Sequence, residues 1–109
     1  IGGARRLIGS MLAIKPVLHL VDGAIEPLAS VRTKKKAVQH MLNVVQEQMG
    51  GKKNVHVAVL HAAAANEAAT LADALRGQLD VGDMVMGELS PVIGTHVGPG
   101  TLGVACYAL

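Results

Sequence analysis

A glycine-rich stretch near the end of the chain contains residue types that bind ligands. In GTHVGPGTLG, Gly94 through Gly103, one histidine lies among four glycines and a proline. Glycines let the backbone approach a ligand closely, and the imidazole of His96 can supply a proton or a charge. The glycine spacing matches neither the phosphate loop nor the dinucleotide fingerprint. Because Gly98-Pro99-Gly100 is also typical of a tight turn, the stretch is either purely structural or a ligand-contacting turn with His96 directed into a cleft.

A basic segment in the first third of the chain, VRTKKKA, departs from the usual charge pattern of a helix start. If Thr33 caps the helix, three lysines occupy the first turn, where the helix dipole favours acidic residues. Successive helical residues lie about 100° apart, so Lys34, Lys35 and Lys36 cannot all face one ligand. The planar guanidinium of Arg32 is a better partner for a carboxylate or phosphate. The segment is therefore either an anion site or a solvated basic face.

Composition argues against several other kinds of site. The formal charge of +2 and the presence of one aromatic residue, Tyr107, disfavour nucleic-acid binding. A single cysteine, Cys106, excludes an internal disulfide and an all-cysteine metal site, and no histidine has a partner at metal-ligand spacing. None of the three serines lies in a Gly-x-Ser-x-Gly elbow. We expect no metal, no cofactor and no nucleic acid.

The same composition bears on localisation. No apolar run approaches the roughly 18 residues of a membrane span, and no signal peptide is recognisable. One cysteine agrees with a reducing compartment. We therefore expect a cytoplasmic protein without a membrane span.

Hydrophobic periodicity and turn residues predict the elements that position these segments. Helices are predicted over 3–13, over 34–49, and in an alanine-rich segment that ends near Gly77. An Asp22-Gly23 pair between apolar runs indicates a hairpin turn. Strands are predicted near 16–21, 24–31, 54–61, 83–89 and 103–109. This order favours an α/β fold, a two-layer domain with a mixed, mostly antiparallel sheet covered by helices on one face.

Three segments together resemble the second half of the DegV family. They are IGSMLAIKPVL, DGAIEPLASVRTKKKA and PVIGTHVGPGTLGVA, in the family's order and with fitting spacing over nearly the whole chain. The resemblance implies a bacterial lipid-binding protein with two α/β domains, the first Rossmann-like and the second with a mostly antiparallel sheet. It implies a fatty acid bound between and within them. It also implies that some members present the fatty-acid carboxyl group to a separate fatty acid kinase, which makes an acyl phosphate for phospholipid synthesis.

The resemblance also assigns functional residues. The family's arginine in its Arg-Thr segment corresponds to Arg32, and its histidine before Gly-Pro-Gly corresponds to His96. We expect both to bind ligand, together with Thr95, Gly98 and Gly100 of the same loop. The lysines that follow Arg32 are expected to form a partner-binding or anion-binding surface; they are Lys34, Lys35 and Lys36.

The chain is expected to be a fragment. Ile1 resembles the last residue of a Gly-Gly-Arg-Ile motif that precedes this helix in the family. Residues 1–109 are therefore expected to form the C-terminal lipid-binding domain, without the N-terminal Rossmann-like domain and the hydroxyl residues that it supplies.

Three functions follow from these observations. The leading interpretation is a lipid carrier that has no catalysis of its own and acts with a fatty acid kinase. One alternative is an enzyme domain that binds a small phosphorylated molecule through Arg32 and the helix start. The other is a regulatory or structural partner domain that docks through Lys34, Lys35 and Lys36, in which case partner binding would be salt-sensitive.

Overall fold

A computed structural model describes residues 14–109, so the helix predicted over 3–13 lies outside the described residues. The chain divides into two compact units, the first up to Val44 and the second from Val45. Each unit is described by itself below.

The first unit contains an antiparallel hairpin and the start of a long helix. The strands are β1 (Lys15–Val21) and β2 (Ala24–Val31), joined by Asp22 at φ 50° and Gly23 at φ 80°. Two successive positive φ angles are those of a type I′ turn, which matches the twist of a two-residue hairpin. The helix α1 (Lys34–Met49) has the bounds that its apolar spacing predicts. The hairpin and this helix are thus confirmed.

The second unit is a three-stranded sheet with two helices of its own. Its elements in chain order are β3 (Val55–His61), α2 (Ala65–Gln78), β4 (Val81–Glu88), α3 (Pro91–Val97) and β5 (Leu102–Tyr107). The central strand β3 pairs in parallel with β4 and antiparallel with β5. A parallel neighbour needs a crossover connection, and α2 supplies it.

The core of this unit lies between α2 and one face of the sheet. Alternate residues of β3 are buried, and one stripe of α2 is buried with them. The buried side chains are Val55, Val57, Val59, Ala68, Leu71, Ala72 and Leu75. Their branched and small aliphatic shapes suit a strand and a helix that pack closely.

The α/β class with a mixed sheet is confirmed. Two of the three strand pairings among the described residues are antiparallel, and the strands form a two-stranded and a three-stranded sheet. One element was not predicted: α3 lies where the sequence suggested only a loop. No helix of residues 14–109 combines the length and apolar character that a membrane crossing requires.

Candidate functional site

The short helix α3 carries Thr95 and His96 and is attached to the sheet at both of its ends. Before the helix, the Leu89 N–H donates to the carbonyl of His61 at 2.7 Å. After the helix, the Gly100 N–H donates to the carbonyl of Ala62 at 2.7 Å, and the Ala62 N–H donates to the carbonyl of Thr101 at 2.9 Å. Two adjacent residues at the end of β3 therefore hold both ends of α3.

Local hydrogen bonds explain why this segment is helical. Ser90 is the N-cap, and its Oγ accepts from the Ile93 N–H at 3.3 Å. Pro91 occupies the first helical position, where a missing N–H and a fixed φ are favourable. The Thr95 hydroxyl donates to the Pro91 carbonyl at 2.7 Å. This bond uses the Thr95 hydroxyl proton and leaves its oxygen lone pairs as acceptors.

The Gly-Pro-Gly turn that follows α3 needs its glycines for their backbone angles. Gly98 has φ 85° and ψ 161°, and Gly100 has φ 92°, both unfavourable for residues with a side chain. The Gly98 N–H donates to the Gly94 carbonyl at 2.8 Å, while the Gly100 N–H bonds Ala62. Both backbone N–H groups are therefore used within the protein. If these glycines contribute to ligand binding, they do so because they lack a side chain, and not by donating hydrogen bonds.

A side-chain hydroxyl fastens this turn. The Thr101 Oγ1 lies 3.0 Å from the Val97 carbonyl oxygen and 2.9 Å from the Gly98 carbonyl oxygen. One hydroxyl proton shared between these two acceptors connects the end of α3 to the start of β5.

A cleft of about 570 Å³ opens to solvent beside α3, at the carboxyl ends of the parallel strands β3 and β4. Open α/β sheets commonly bind ligands at this edge. Thr95 is the predicted ligand residue that lines the cleft, and His96 is exposed in the last turn of the adjoining helix. The lining residues are Ala62, Ala63, Glu88, Leu89, Ser90, Pro91, Gly94, Thr95 and Pro99.

Sequence analysis missed two polar residues of this cleft, Glu88 and Ser90. Ser90-Pro91 is a recognisable helix-start pair, so the sequence did contain a signal for the cap. Glu88 reaches the cleft because it is the last residue of β4. That position depends on strand register, which the local sequence does not specify.

A second polar cluster lies on the same sheet but away from the cleft. His56 Nδ1 is hydrogen-bonded to Asp83 Oδ1, and the Tyr107 ring stacks on the imidazole with centroids 4.6 Å apart. These residues come from three neighbouring strands, β4, β3 and β5. His56 is near the start of β3, whereas the cleft is at its end. The cluster therefore lies apart from the predicted ligand residues.

The basic segment of the first unit has the geometry that its sequence indicates. The Thr33 Oγ1 accepts from the Lys36 N–H at 3.1 Å, so Thr33 caps α1. The first turn of α1 contains no acidic residue, and Lys35 and Lys36 are exposed. Arg32 is also exposed, between β2 and α1. Because His96 belongs to the second unit, the roles of Arg32 and His96 stay two separate predictions.

Comparison with known proteins establishes the family. Residues 1–109 match the model of a family described as "Uncharacterised protein, DegV family". The chain belongs to the DegV family. A DegV domain-containing protein of Streptomyces coelicolor is 46% identical over 105 residues, which are 95% of this chain and 37% of that protein. Protein DegV of Bacillus subtilis is 33% identical over 108 residues, 98% of this chain and 38% of that protein.

Solved DegV structures share the fold. A fatty-acid-binding DegV family protein from Thermus thermophilus superposes with a TM-score of 0.86 at 34% identity, covering 100% of this chain and 39% of its own. DegV of Bacillus subtilis, described as a fatty acid binding protein, gives a TM-score of 0.74 at 33% identity, covering 94% and 36%. This DegV chain thus spans a little over a third of the length of the relatives that it matches.

Proposed function

We propose that this chain is the lipid-binding second domain of a carrier that holds a long-chain fatty acid. The observation that carries the proposal is the similarity over the whole chain to the Thermus thermophilus protein, which is described as binding fatty acid. The relatives are more than twice as long as this chain, so the proposal includes a preceding Rossmann-like domain. In this proposal the protein is cytoplasmic and has no catalysis of its own.

The carboxyl group of the fatty acid is proposed to bind at the loop that contains α3. A carboxylate needs hydrogen-bond donors at the mouth of an aliphatic site, and an imidazole N–H can supply one. His96 is exposed on α3, next to Thr95 in the wall of the cleft. We assign carboxyl binding to His96 and an adjacent contact to Thr95. Gly98 and Gly100 give the loop its shape.

The basic segment is proposed to act on the phosphorylated state of the lipid. In the carrier hypothesis a partner fatty acid kinase converts the carboxyl group into an acyl phosphate. The guanidinium of Arg32 suits a phosphate or carboxylate, and the start of α1, whose first turn contains no acidic residue, is a positive helix end that favours an anion nearby. We assign the contact with the acyl phosphate or the kinase to Arg32, and kinase docking to Lys34, Lys35 and Lys36.

The test uses the full-length protein and two matched pairs of variants. Mass spectrometry of an organic extract of the wild type should detect a copurified fatty acid. His96→Ala should weaken fatty-acid binding by roughly 10- to 150-fold, since a hydrogen bond to a charged group contributes roughly 1.5–3 kcal/mol. His19→Ala, at an exposed position in β1, should leave binding unchanged.

The second pair tests the kinase step. Arg32→Ala should slow acyl-phosphate formation by an added kinase, whereas Arg76→Ala removes an exposed arginine that pairs with Asp73 on α2 and should have no effect. Unchanged binding and transfer in His96→Ala and Arg32→Ala would remove the assigned roles. Turnover of a small phosphorylated substrate by the purified protein without a kinase would replace the carrier by an enzyme.

A further inference from the structure

We infer that His61 is a positioning residue for the ligand-binding loop, holding α3, and with it His96, through the turn that follows β3. The inference concerns a side chain that neither the family resemblance nor the lining of the cleft identifies. Its consequence for lipid binding rests on the proposed function, but its structural part does not.

The side chain of His61 makes one specific bond. Its Nδ1 lies 3.0 Å from the backbone nitrogen of Ala64 and is partly buried. A backbone N–H is always the donor, so Nδ1 is the acceptor and the neutral ring carries its proton on Nε2. Ala64 is the N-cap residue of α2, and its own side chain cannot cap the helix. His61 therefore supplies a side-chain acceptor at the start of this helix, where the N-cap residue itself has none.

This bond closes a turn with an unfavourable backbone. Ala63 has φ 51°, a left-handed conformation that is uncommon for a residue with a Cβ. Such a conformation persists when surrounding bonds impose it. The hydrogen bond from the Ala64 N–H to His61 Nδ1 spans Ala63, so it favours the conformation of that residue.

The backbone of the same turn carries the attachments of α3. The His61 carbonyl accepts from Leu89 before the helix, and the Ala62 carbonyl accepts from Gly100 after it. Ala62 and Ala63 also line the cleft together with Thr95. A change in the turn at residues 61–64 therefore shifts the acceptors for both ends of α3 at once. The His61 imidazole controls this geometry without contacting the ligand.

Amide hydrogen exchange on the full-length protein without lipid tests the structural part. His61→Ala should speed exchange of the Leu89 and Gly100 amides by ~3- to 10-fold, the range expected from losing one net hydrogen bond. His61→Asn should restore slow exchange, because the Asn Oδ1 occupies the same position along the side chain as Nδ1. His61→Gln places its oxygen one bond further and should not. The buried Val57 amide of β3 serves as the control for folding.

Two exchange results would overturn the inference. One is unchanged exchange of the Leu89 and Gly100 amides in His61→Ala. The other is an Asn variant that exchanges as fast as the Ala variant, because His61 would then contribute bulk rather than an acceptor. Neither result depends on whether the protein binds a lipid, so failure of the proposed function is distinguishable from failure of this inference.

Fatty-acid affinity tests the functional part through a double-mutant cycle. Palmitate binding should weaken ~3- to 10-fold in His61→Ala and recover in His61→Asn. In a His96→Ala background the His61→Ala change should cause little further loss of palmitate affinity, since the imidazole that His61 is inferred to position is absent. Full additivity of the two losses would refute the action of His61 through His96.

Discussion

Replacing Gly98 by alanine should destabilise the protein through the backbone alone. An added Cβ at Gly98 would meet no atom within 4 Å, so the substitution causes no steric clash. The residue has φ 85° and ψ 161°, however, a region that is essentially restricted to glycine. Holding alanine there costs of order 1–3 kcal/mol. We expect the free energy of unfolding to fall by that amount.

Gly94 is the matched control, four residues earlier in the same segment. It lies within α3, its φ is not positive, and an added Cβ there also meets no atom within 4 Å. Alanine is the better helix former by about 1 kcal/mol, so Gly94→Ala should stabilise the protein by roughly 0.5–1 kcal/mol. The two Gly→Ala changes should therefore have opposite signs.

Urea unfolding of the full-length variants, followed by far-UV circular dichroism, measures both effects. Exchange of the Gly100 amide reports whether the loss is local to the turn. Equal stabilities of Gly98→Ala and the wild type would show that the turn relaxes into another conformation at no cost. A loss of similar size in Gly94→Ala would show that the loop tolerates no side chain, and the argument from backbone angles would be refuted.

Three further predictions concern other parts of the chain. Leu75→Ala removes a side chain with no exposed surface and should lower the free energy of unfolding by about 2–5 kcal/mol in urea denaturation. Thr33→Ala should cost about 1 kcal/mol through loss of the α1 cap, and Thr33→Ser should restore most of it. Burial raises the pKa of the Cys106 thiol, so iodoacetamide should alkylate it more slowly than free cysteine near neutral pH, and faster as the pH increases or once urea unfolds the chain. A fast reaction of the folded protein would contradict the burial of the thiol.

The elements that the sequence predicted well are those with a strong local signal. The helix from Lys34 to Met49 has a continuous apolar face, a threonine cap and a double-glycine stop, and its predicted bounds match. The hairpin follows from Asp22-Gly23, because few residue pairs tolerate two positive φ angles. In both cases neighbouring residues determine the conformation, so tertiary context adds little.

The helix α3 was missed because its stability comes from interactions that residue propensities do not include. It has seven residues, among them Gly94 and the β-branched Val92, Ile93 and Thr95, none of which favours a helix. The cap at Ser90, the Thr95 hydroxyl and the bonds to the end of β3 compensate. The last of these joins residues far apart in the sequence, so no local pattern could reveal it.

The candidate site was likewise predictable in part. The loop around His96 and the cap before the lysines are visible in the sequence. The attachment of α3 to His61 and Ala62 depends on strand register, as does the contact of His56 with Asp83. Sequence reasoning considered these histidines only as metal ligands. In the structure His56 is hydrogen-bonded to Asp83, 27 residues further along the chain, and His61 accepts from the backbone N–H of Ala64.

The backbone N–H groups of Gly98 and Gly100 both donate to carbonyl groups of the protein, and this determines which parts of the loop can vary. A ligand that approached this loop would contact its side chains, because the two N–H groups are already used in bonds to the carbonyls of Gly94 and Ala62. The side chain at position 96 is therefore exchangeable without loss of a backbone hydrogen bond, whereas replacing Thr95 also removes the bond from its hydroxyl to the Pro91 carbonyl. In the proposed carrier, replacing His96 is therefore the most direct way to make the loop recognise a different polar group.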